Sequence, residues 1–128
     1  MAVLTVTPLS FGTRTAATIP LYAGFALTAN AQNASAGGDS FTNNGKTFLV
    51  IINEGASPIT ITIPCVKAND QGVTESVVST ITNATQRFYG PFDVSYFNDA
   101  NGRVSIAYSD VTSVICCVIS ASNPGRWY

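Results

Sequence analysis

Hydrophobic and polar residues alternate along much of this chain with the period of two that is typical of β-strands. In Pro58–Ile63, isoleucines occupy one face and threonines the other, which predicts a strand with one buried and one wetted face. Phe48–Ile52 is a block of large apolar residues and predicts a second, more deeply buried strand. Between them, Asn53–Pro58 is rich in turn-forming residues. This loop therefore predicts a β-hairpin or a sharp corner.

Similar patterns predict strands along the rest of the chain, and the strands are short and separated by turn residues every 8 to 12 positions. This spacing favours an all-β fold, a single antiparallel β-sandwich, with a jelly roll as the more specific arrangement. A hairpin is predicted where Val94–Asn98 turns through Asn98–Gly102 into Arg103–Tyr108. A flexible loop is predicted at Asn33–Ser40 and a tight turn at Asn43–Gly45. The other predicted strands are Ala2–Thr7 (an edge strand or an arm), Ser76–Thr82, Gln86–Tyr89 and Thr112–Ser120.

Length and composition predict one domain, because 128 residues that are 46% hydrophobic supply one core. We expect three parts: an N-terminal arm with an Ala/Thr-rich segment at residues 1–36, a β-sandwich core at 37–120, and an aromatic C-terminal tail at 121–128. Within the first part, Ser10–Asn33 has a helix-favouring alanine content, but its threonines, glycines and proline favour extended structure.

Charge limits the partners that the chain can bind. Only 10% of the residues are charged, against about 25% in a typical protein, and the formal net charge is −1. Neither nucleic acid nor an anionic membrane is therefore an expected partner. A mean hydropathy of +0.26 with so little charge instead favours self-association. We expect a soluble chain without a signal peptide or a transmembrane segment.

The inventory of reactive side chains predicts a protein that is not an enzyme and carries no cofactor or metal site. The chain has no histidine, and its three cysteines lack the spacing of a zinc site. Cys116 and Cys117 are neighbours that point to opposite faces of a strand, so we expect at least one of them to be a buried hydrophobe, in a reducing compartment. Gly45-Lys46-Thr47 lacks the upstream glycine of a P-loop.

Aromatic residues allow two interpretations. Most of them are expected to fill the core, and the alternative is a platform that binds sugars. The last residues, Arg126-Trp127-Tyr128, are of the types enriched at interface hot spots. A proline and a glycine precede them, so they form either a tail that contacts another molecule or one that folds back on its own sandwich. The aromatic residues within the predicted sandwich are Phe41, Phe48, Phe88, Tyr89, Phe92, Tyr96, Phe97 and Tyr108.

Two segments resemble a family of small tailed-bacteriophage head decoration, or capsid cement, proteins. They are GGDSFTNNGKTFLVIINEGASPITITI and GPFDVSYFNDANGRVSIAYSDVTSVICCVIS. The resemblance covers about two thirds of the chain, from Gly37 to Ile119. The motifs that carry it are Gly37–Asp39, Gly45–Phe48, Asn53–Gly55, Gly90–Phe92, Tyr96–Gly102 and Tyr108–Thr112.

The resemblance implies a structural virion protein that binds the outer surface of the phage head, as a homotrimer, and stabilises the shell. Its partners would be the major capsid protein and further copies of itself, and it would be made in the host cytoplasm. The alternative is a β-sandwich module, displayed on the virion, that binds carbohydrate or serves the tail in host attachment. We expect shell or subunit contacts in the arm Ala2–Arg14 and in the tail, at Val3, Leu4, Val6, Leu9, Phe11, Arg14, Arg126, Trp127 and Tyr128.

Overall fold

The computed structural model describes residues 2–8 and 27–120, which form a β-sandwich of two five-stranded sheets. The all-β sandwich predicted from the sequence is confirmed. Among the described residues, the helical elements are a 3-10 turn at Thr28–Asn30 and one short helix, α1 (Val94–Phe97). The strands are β1 (Ala2–Val3), β2 (Val6–Pro8), β3 (Gln32–Asn33), β4 (Asp39–Thr42), β5 (Thr47–Asn53), β6 (Ile59–Pro64), β7 (Ser76–Ile81), β8 (Thr85–Tyr89), β9 (Arg103–Tyr108) and β10 (Val114–Ser120).

Each sheet mixes antiparallel and parallel pairing. The first sheet has the order β1-β4-β9-β6-β7, and the second has the order β2-β10-β5-β8, with β3 also pairing with β10. The parallel pairings come from the N-terminal strands, since β1 runs parallel to β4 and β2 runs parallel to β10. The remaining pairings are antiparallel. The more specific jelly-roll arrangement stays a prediction.

The corner after β5 carries the chain from one sheet to the other. Strand β5 lies in the second sheet and β6 in the first, so Asn53–Pro58 is the sharp corner and not the hairpin of the two predicted alternatives. Along β6 the isoleucines are buried and the threonines half-buried, as the alternation predicts. Strand β5 is buried at six of its seven residues.

The core lies between the sheets, and a second apolar cluster covers the outer face of the second sheet. This outer cluster explains why β5 and β10 are continuous apolar runs, since both of their faces are covered. It consists of Val50, Ile52, Cys117 and Ile119, with Leu27, Ala31 and Ile115 packed against them. The main core consists of Leu4, Phe41, Leu49, Ile51, Ile59, Ile61, Ile63, Ile81, Phe92, Val104, Ile106, Val114, Cys116 and Val118.

The predicted strand Val94–Asn98 is wrong, because most of it is helix α1. Asp93 caps the helix, and its side chain accepts a hydrogen bond from the backbone N–H of Ser95 at 2.7 Å. This cap offsets the strand preference of the valine and the aromatic residues. The predicted hairpin is therefore also wrong: the turn before β9 is present, with Gly102 N–H donating to Asp99 O, but it follows a helix.

The predicted flexible loop Asn33–Ser40 is shorter than expected. Its last two residues, Asp39 and Ser40, open strand β4 and are buried. Polar residues at these positions hid the strand in the hydrophobic pattern. Of the segment Ser10–Asn33, which was expected to be extended, the structure describes only residues 27–33, as a 3-10 turn followed by β3.

The described N-terminal residues join the edges of both sheets. Strand β1 extends the first sheet, β2 extends the second, and Leu4 between them is buried in the core. The side chain of Gln32 closes the crossing: its Nε2 donates to Thr5 O at 3.0 Å, and its Oε1 accepts from Thr5 N at 2.9 Å. One amide side chain thus replaces a strand neighbour for Thr5.

Candidate binding surfaces

The predicted contact residues of the N-terminal arm fall into two groups. Val3 is 53% exposed on the edge strand β1. Leu4 and Val6 instead pack into the protein's own core. The remaining predicted contacts, Leu9, Phe11, Arg14, Arg126, Trp127 and Tyr128, lie outside the described residues.

Most aromatic residues of the sandwich support the core, as the first of the two interpretations predicts. The ring of Phe92 packs against those of Phe41 and Phe97, with centroids 5.6 and 5.4 Å apart. Two rings are exposed instead: Phe88 on β8 is 59% exposed and Tyr96 on α1 is 38% exposed. These two are the aromatic residues of the sandwich that a partner could reach most readily.

Exposed apolar side chains concentrate on one part of the molecule. We call this part the open side; it comprises β7, β8, residues 65–75 and α1. Of the eight large hydrophobic residues exposed in the described chain, Val3 is the one outside it. The other seven are Val66, Val73, Val77, Val78, Phe88, Val94 and Tyr96. They do not form one face, because Val78 lies opposite Thr62 on the outer side of the first sheet and Phe88 lies opposite Val50 on the outer side of the second. Each strand edge is therefore considered as a separate candidate contact.

Strands β7 and β8 form the edges of the two sheets at the open side. A short turn joins them, in which Ala84 has a φ of +58°. The Tyr89 hydroxyl donates to Ser79 Oγ at 2.9 Å and so ties one edge to the other. Farther along β7, Val77 lies opposite the buried Ile63 yet is exposed. The sandwich is therefore not fully closed along β7.

A loop and a helix extend the open side beyond the end of β7. Val66 N–H donates to Tyr96 O at 2.6 Å, which fixes residues 65–75 against α1. Lys67 Nζ lies 5.0 Å from the centroid of the Tyr96 ring, within the range of a cation–π contact. These contacts hold the exposed Val66 next to the exposed ring of Tyr96.

The edge strand β8 also borders a shallow depression of about 410 Å³. Its lining mixes the exposed ring of Phe88 with hydroxyl, amide and guanidinium groups. An aromatic face beside polar groups is the kind of surface on which a sugar ring packs. The lining residues are Thr82, Thr85, Gln86, Arg87, Phe88 and Tyr89.

A network of buried, hydrogen-bonded polar groups connects the two sheets at Tyr108. The Tyr108 hydroxyl donates to Asp39 Oδ2 at 2.8 Å. Since that bond uses its only proton, the Cys116 thiol is the donor in the 3.1 Å contact between Cys116 Sγ and the hydroxyl. Ser35 N–H also donates to Asp39 Oδ2, whereas Asp39 Oδ1 has no partner among the described residues. The resemblance marks Asp39 and Tyr108 as motif residues, but the pattern alone did not show that they meet.

The electrostatics of this chain of groups oppose nucleophilic chemistry at the cysteine. Burial raises the pKa of the Cys116 thiol to about 11, so the thiol stays protonated near neutral pH. A nucleophilic cysteine needs the opposite shift. Burial also raises the pKa of Tyr108 far above its usual value of 10.0. All three cysteines are free, and Cys116 and Cys117 are both buried, on opposite faces of β10.

These shifts predict a loss of stability in alkali. The unfolded thiol loses its proton near pH 9.0, whereas the folded Cys116 thiol keeps it to about pH 11. The stabilisation that comes from this protonated thiol is therefore complete below pH 9 and is lost as the pH rises toward 11. The free energy of unfolding should fall over this range by on the order of 2 kcal/mol. Denaturant titrations from pH 7 to 10.5 should show the free energy of unfolding fall, and the Cys116→Ala variant should show a shallower fall. Equal slopes for the two proteins would contradict this assignment.

Sequence reasoning did not find the open side, because it depends on which strands become sheet edges. The sequence of β7, SVVSTI, gave a usable signal: its valines stand among hydroxyl residues without a strict alternation. Strands with both faces covered, such as β5 and β10, have no such mixture.

Neither a metal-binding cluster nor a membrane-spanning helix is found among the described residues. Within residues 2–8 and 27–120, no three His, Cys, Asp or Glu side chains are grouped so that they could hold a metal ion. The same residues include no helix with the length and apolar character needed to cross a bilayer.

No protein-family model matches the chain, and no curated protein or solved structure matches it significantly. The surfaces described above are therefore judged on their geometry.

Proposed function

We propose that this protein is a structural virion protein that binds the outer surface of a tailed-phage head as a homotrimer and stabilises the shell. Its partner is the major capsid protein, and its function is binding, not turnover. A protein that binds only the assembled shell stabilises it by mass action, and the stabilisation of the shell increases with the number of bound copies.

The observation that carries the proposal is the way the motifs of the resemblance contact one another. Asp39 of the first motif and Tyr108 of the last one are hydrogen-bonded at 2.8 Å across 69 positions of sequence. Gly90 lies so close to Thr47 that an added Cβ would come within 2.8 Å of Thr47 O. Contacts of this kind restrict which residues can occupy these positions, and this would explain why a family shares the residues. These contacts support the resemblance, on which the proposed function rests.

Surface chemistry supports a binding role. The exposed residues of β1, Ala2 and Val3, are apolar, and β7 presents two exposed valines and carries no charged residue. Protein interfaces exclude charge from their centres in the same way. We place the shell contact at the arm, where Val3 is exposed, and at the C-terminal tail, the two parts of the chain in which we expect such contacts from the sequence.

Cosedimentation with undecorated phage heads tests the proposal. We expect saturable binding in multiples of three and shells that resist heat and chelator better. Val3→Asp should weaken binding about tenfold or more, because it places a charge at an apolar contact. Val73→Asp is the matched control, since Val73 is 52% exposed, like Val3, but lies on the open side. No binding by the wild type would overturn the proposal. Equal binding by the two variants would show that the arm is not part of the contact with the shell.

The depression at β8 supports one alternative, a module displayed on the virion that binds carbohydrate or serves host attachment. Its exposed Phe88 ring lies beside Gln86 and Arg87, which can hydrogen-bond sugar hydroxyls. A glycan array separates the two functions. Glycan binding that Phe88→Ala abolishes, without binding to heads, would favour the alternative.

A further inference from the structure

We propose that β7 pairs with β7 of a second copy of this chain, antiparallel and about a two-fold axis, so that the two first sheets become one continuous sheet. The inference concerns contact between copies and does not depend on the proposed binding to phage heads.

Strand β7 lacks the features that normally protect a sheet edge. Such edges carry charged residues, proline or bulges, or are very short. Strand β7 is six residues long, contains none of those residue types, and pairs with β6 in an unbroken register. Among the described residues, its other edge has no strand neighbour. Val78 on this strand is 64% exposed, the highest value among the large hydrophobic residues that the structure describes.

The hydrogen bonds of β7 show which of its backbone groups face the open edge. Cys65 N–H donates to Glu75 O at 3.1 Å, in the pair that follows Pro64 and Ser76. Hydrogen-bonded pairs alternate along an antiparallel ladder. Val77, Ser79 and Ile81 therefore bond to β6, whereas Ser76, Val78 and Thr80 direct their backbone N–H and C=O groups away from it. These three residues are available to a new strand.

Self-pairing around Val78 uses all three of these residues. With the two-fold axis at Val78, Ser76 lies opposite Thr80 of the second copy, and Val78 lies opposite its own equivalent. Hydroxyl groups then meet hydroxyl groups, and valine meets valine, which are favourable cross-strand pairs. On the other face, Val77 lies opposite Ser79 of the second copy. The strand is thus chemically complementary to itself.

The lack of charge along β7 favours an equally uncharged strand, such as β7 of a second copy, over a charged partner. The nearest acidic residue in sequence is Glu75, which precedes β7. In the antiparallel pair, Glu75 lies opposite Ile81 of the second copy, and the two Glu75 residues lie at opposite ends. No like charges meet, and a strongly charged strand would find no counter-charge within β7. A two-fold contact of this kind is also the commonest in homo-oligomers.

A two-fold contact does not by itself form a trimer. Where three copies associate through another surface, pairing along β7 joins two such groups into a hexamer. The oligomer that forms through β7 therefore contains an even number of chains, and disruption of β7 halves its mass.

Molar mass measured by light scattering over a range of concentrations tests the pairing. Val78→Lys should halve the mass, because a lysine on an edge strand blocks strand addition. Thr80→Pro should do the same and stay folded, since the N–H that it removes points away from β6. Val94→Lys is the control: the same change is made at a valine that is 45% exposed on α1, away from the sheet edge. This variant should keep the wild-type mass.

Ser79→Pro tests the direction of the hydrogen bonds and should unfold the protein, because it removes an N–H that bonds to β6. A Thr80→Pro variant that unfolds equally would overturn the inferred register. Equal masses for the wild type and for folded Val78→Lys would overturn the pairing itself. A wild type that remains monomeric, with a Val78→Lys variant that no longer binds heads, would assign the edge to a shell strand and not to a second copy. A wild type that forms the even-numbered oligomer but does not bind phage heads would count against the proposed function and not against the pairing of β7.

Discussion

Replacing Gly90 with alanine should lower the free energy of unfolding by about 3 to 5 kcal/mol, from the combined cost of backbone strain and overpacking. Gly90 has a φ of +115°, which side chains of L-residues rarely tolerate. A Cβ at this position would lie 2.8 Å from Thr47 O, 3.2 Å from a ring carbon of Phe92 and 3.3 Å from Phe48 Cα. Two of these three neighbours are backbone atoms and cannot rotate away. Thermal and urea denaturation of the variant would measure the loss.

Gly102→Ala separates the two causes of that loss. Gly102 also has a positive φ, +73°, but an added Cβ would have no neighbour within 4 Å. The control should therefore lose only the conformational term, about 1 kcal/mol. Equal losses at Gly90 and Gly102 would mean that the close approach of Gly90 to Thr47 contributes nothing to stability.

The Gly90 contact joins two segments of the chain that the sequence did not connect. The loop that contains Gly90 follows β8, and Thr47 opens β5. Asn43, just before β5, reinforces the contact, because its Nδ2 donates to Phe92 O at 3.0 Å. The buried Phe92 is thereby held from both sides. A loss at Gly90 should consequently displace an aromatic ring of the core as well as the loop.

Local pattern was sufficient wherever one face of a strand is buried and the other is wet. Strand β6 shows this most clearly, since its alternating isoleucines alone predicted its faces. Strand β9 behaves in the same way, with Val104 and Ile106 buried. In both cases a register slip by one residue would expose the buried side chains, so the hydrophobic pattern alone specifies which face of the strand is buried.

Pattern failed where a side-chain hydrogen bond decided the conformation. Helix α1 replaced a predicted strand because Asp93 caps it, a short-range effect that outweighs strand preference in a segment of four residues. Strand β4 was missed because it opens with the buried Asp39, which is satisfied at one oxygen by Tyr108 from the far end of the chain. A partner so distant in sequence is not visible in a local window.

The hydrophobic pattern also did not locate the candidate binding surfaces, although the mixed sequence of β7 held a signal for one of them. Whether a valine is exposed depends on strand order, and Val77 and Val78 are exposed because β7 is an edge. The opposite edge of the same sheet is β1, where Val3 is exposed. A sandwich with two apolar edges can bind two partners at once. We propose the shell as the partner of β1 and a second copy as the partner of β7, and the matched variants at Val3 and Val78 test each proposal separately.

Asn53→Asp should cost about 3 to 5 kcal/mol at neutral pH, because it leaves a buried charge without a counter-charge. Asn53 is fully buried at the corner between β5 and β6. Its Nδ2 donates to Ser57 O at 2.8 Å and to Ile81 O at 3.1 Å, while its Oδ1 accepts from Gly55 N at 3.0 Å. In the variant, two carbonyl oxygens would face a carboxylate oxygen in place of an amide donor. The loss should shrink as the pH falls toward about 4, because burial raises the pKa of the new carboxyl group and the folded variant takes up a proton before the unfolded chain does.

Asn44→Asp provides the matched control. Asn44 is exposed, and its Oδ1 accepts from Lys46 N at 2.9 Å and from Thr47 Oγ1 at 3.3 Å. A carboxylate can make both of these bonds, so the free energy of unfolding should change by less than about 0.5 kcal/mol. Denaturant titrations of both variants at pH 7 and pH 3.5 would show whether the penalty belongs to the buried amide. A pH-independent loss in Asn53→Asp would show that geometry, not charge, causes it, and an equal loss in Asn44→Asp would show that the two donated bonds of Asn53 do not hold the corner.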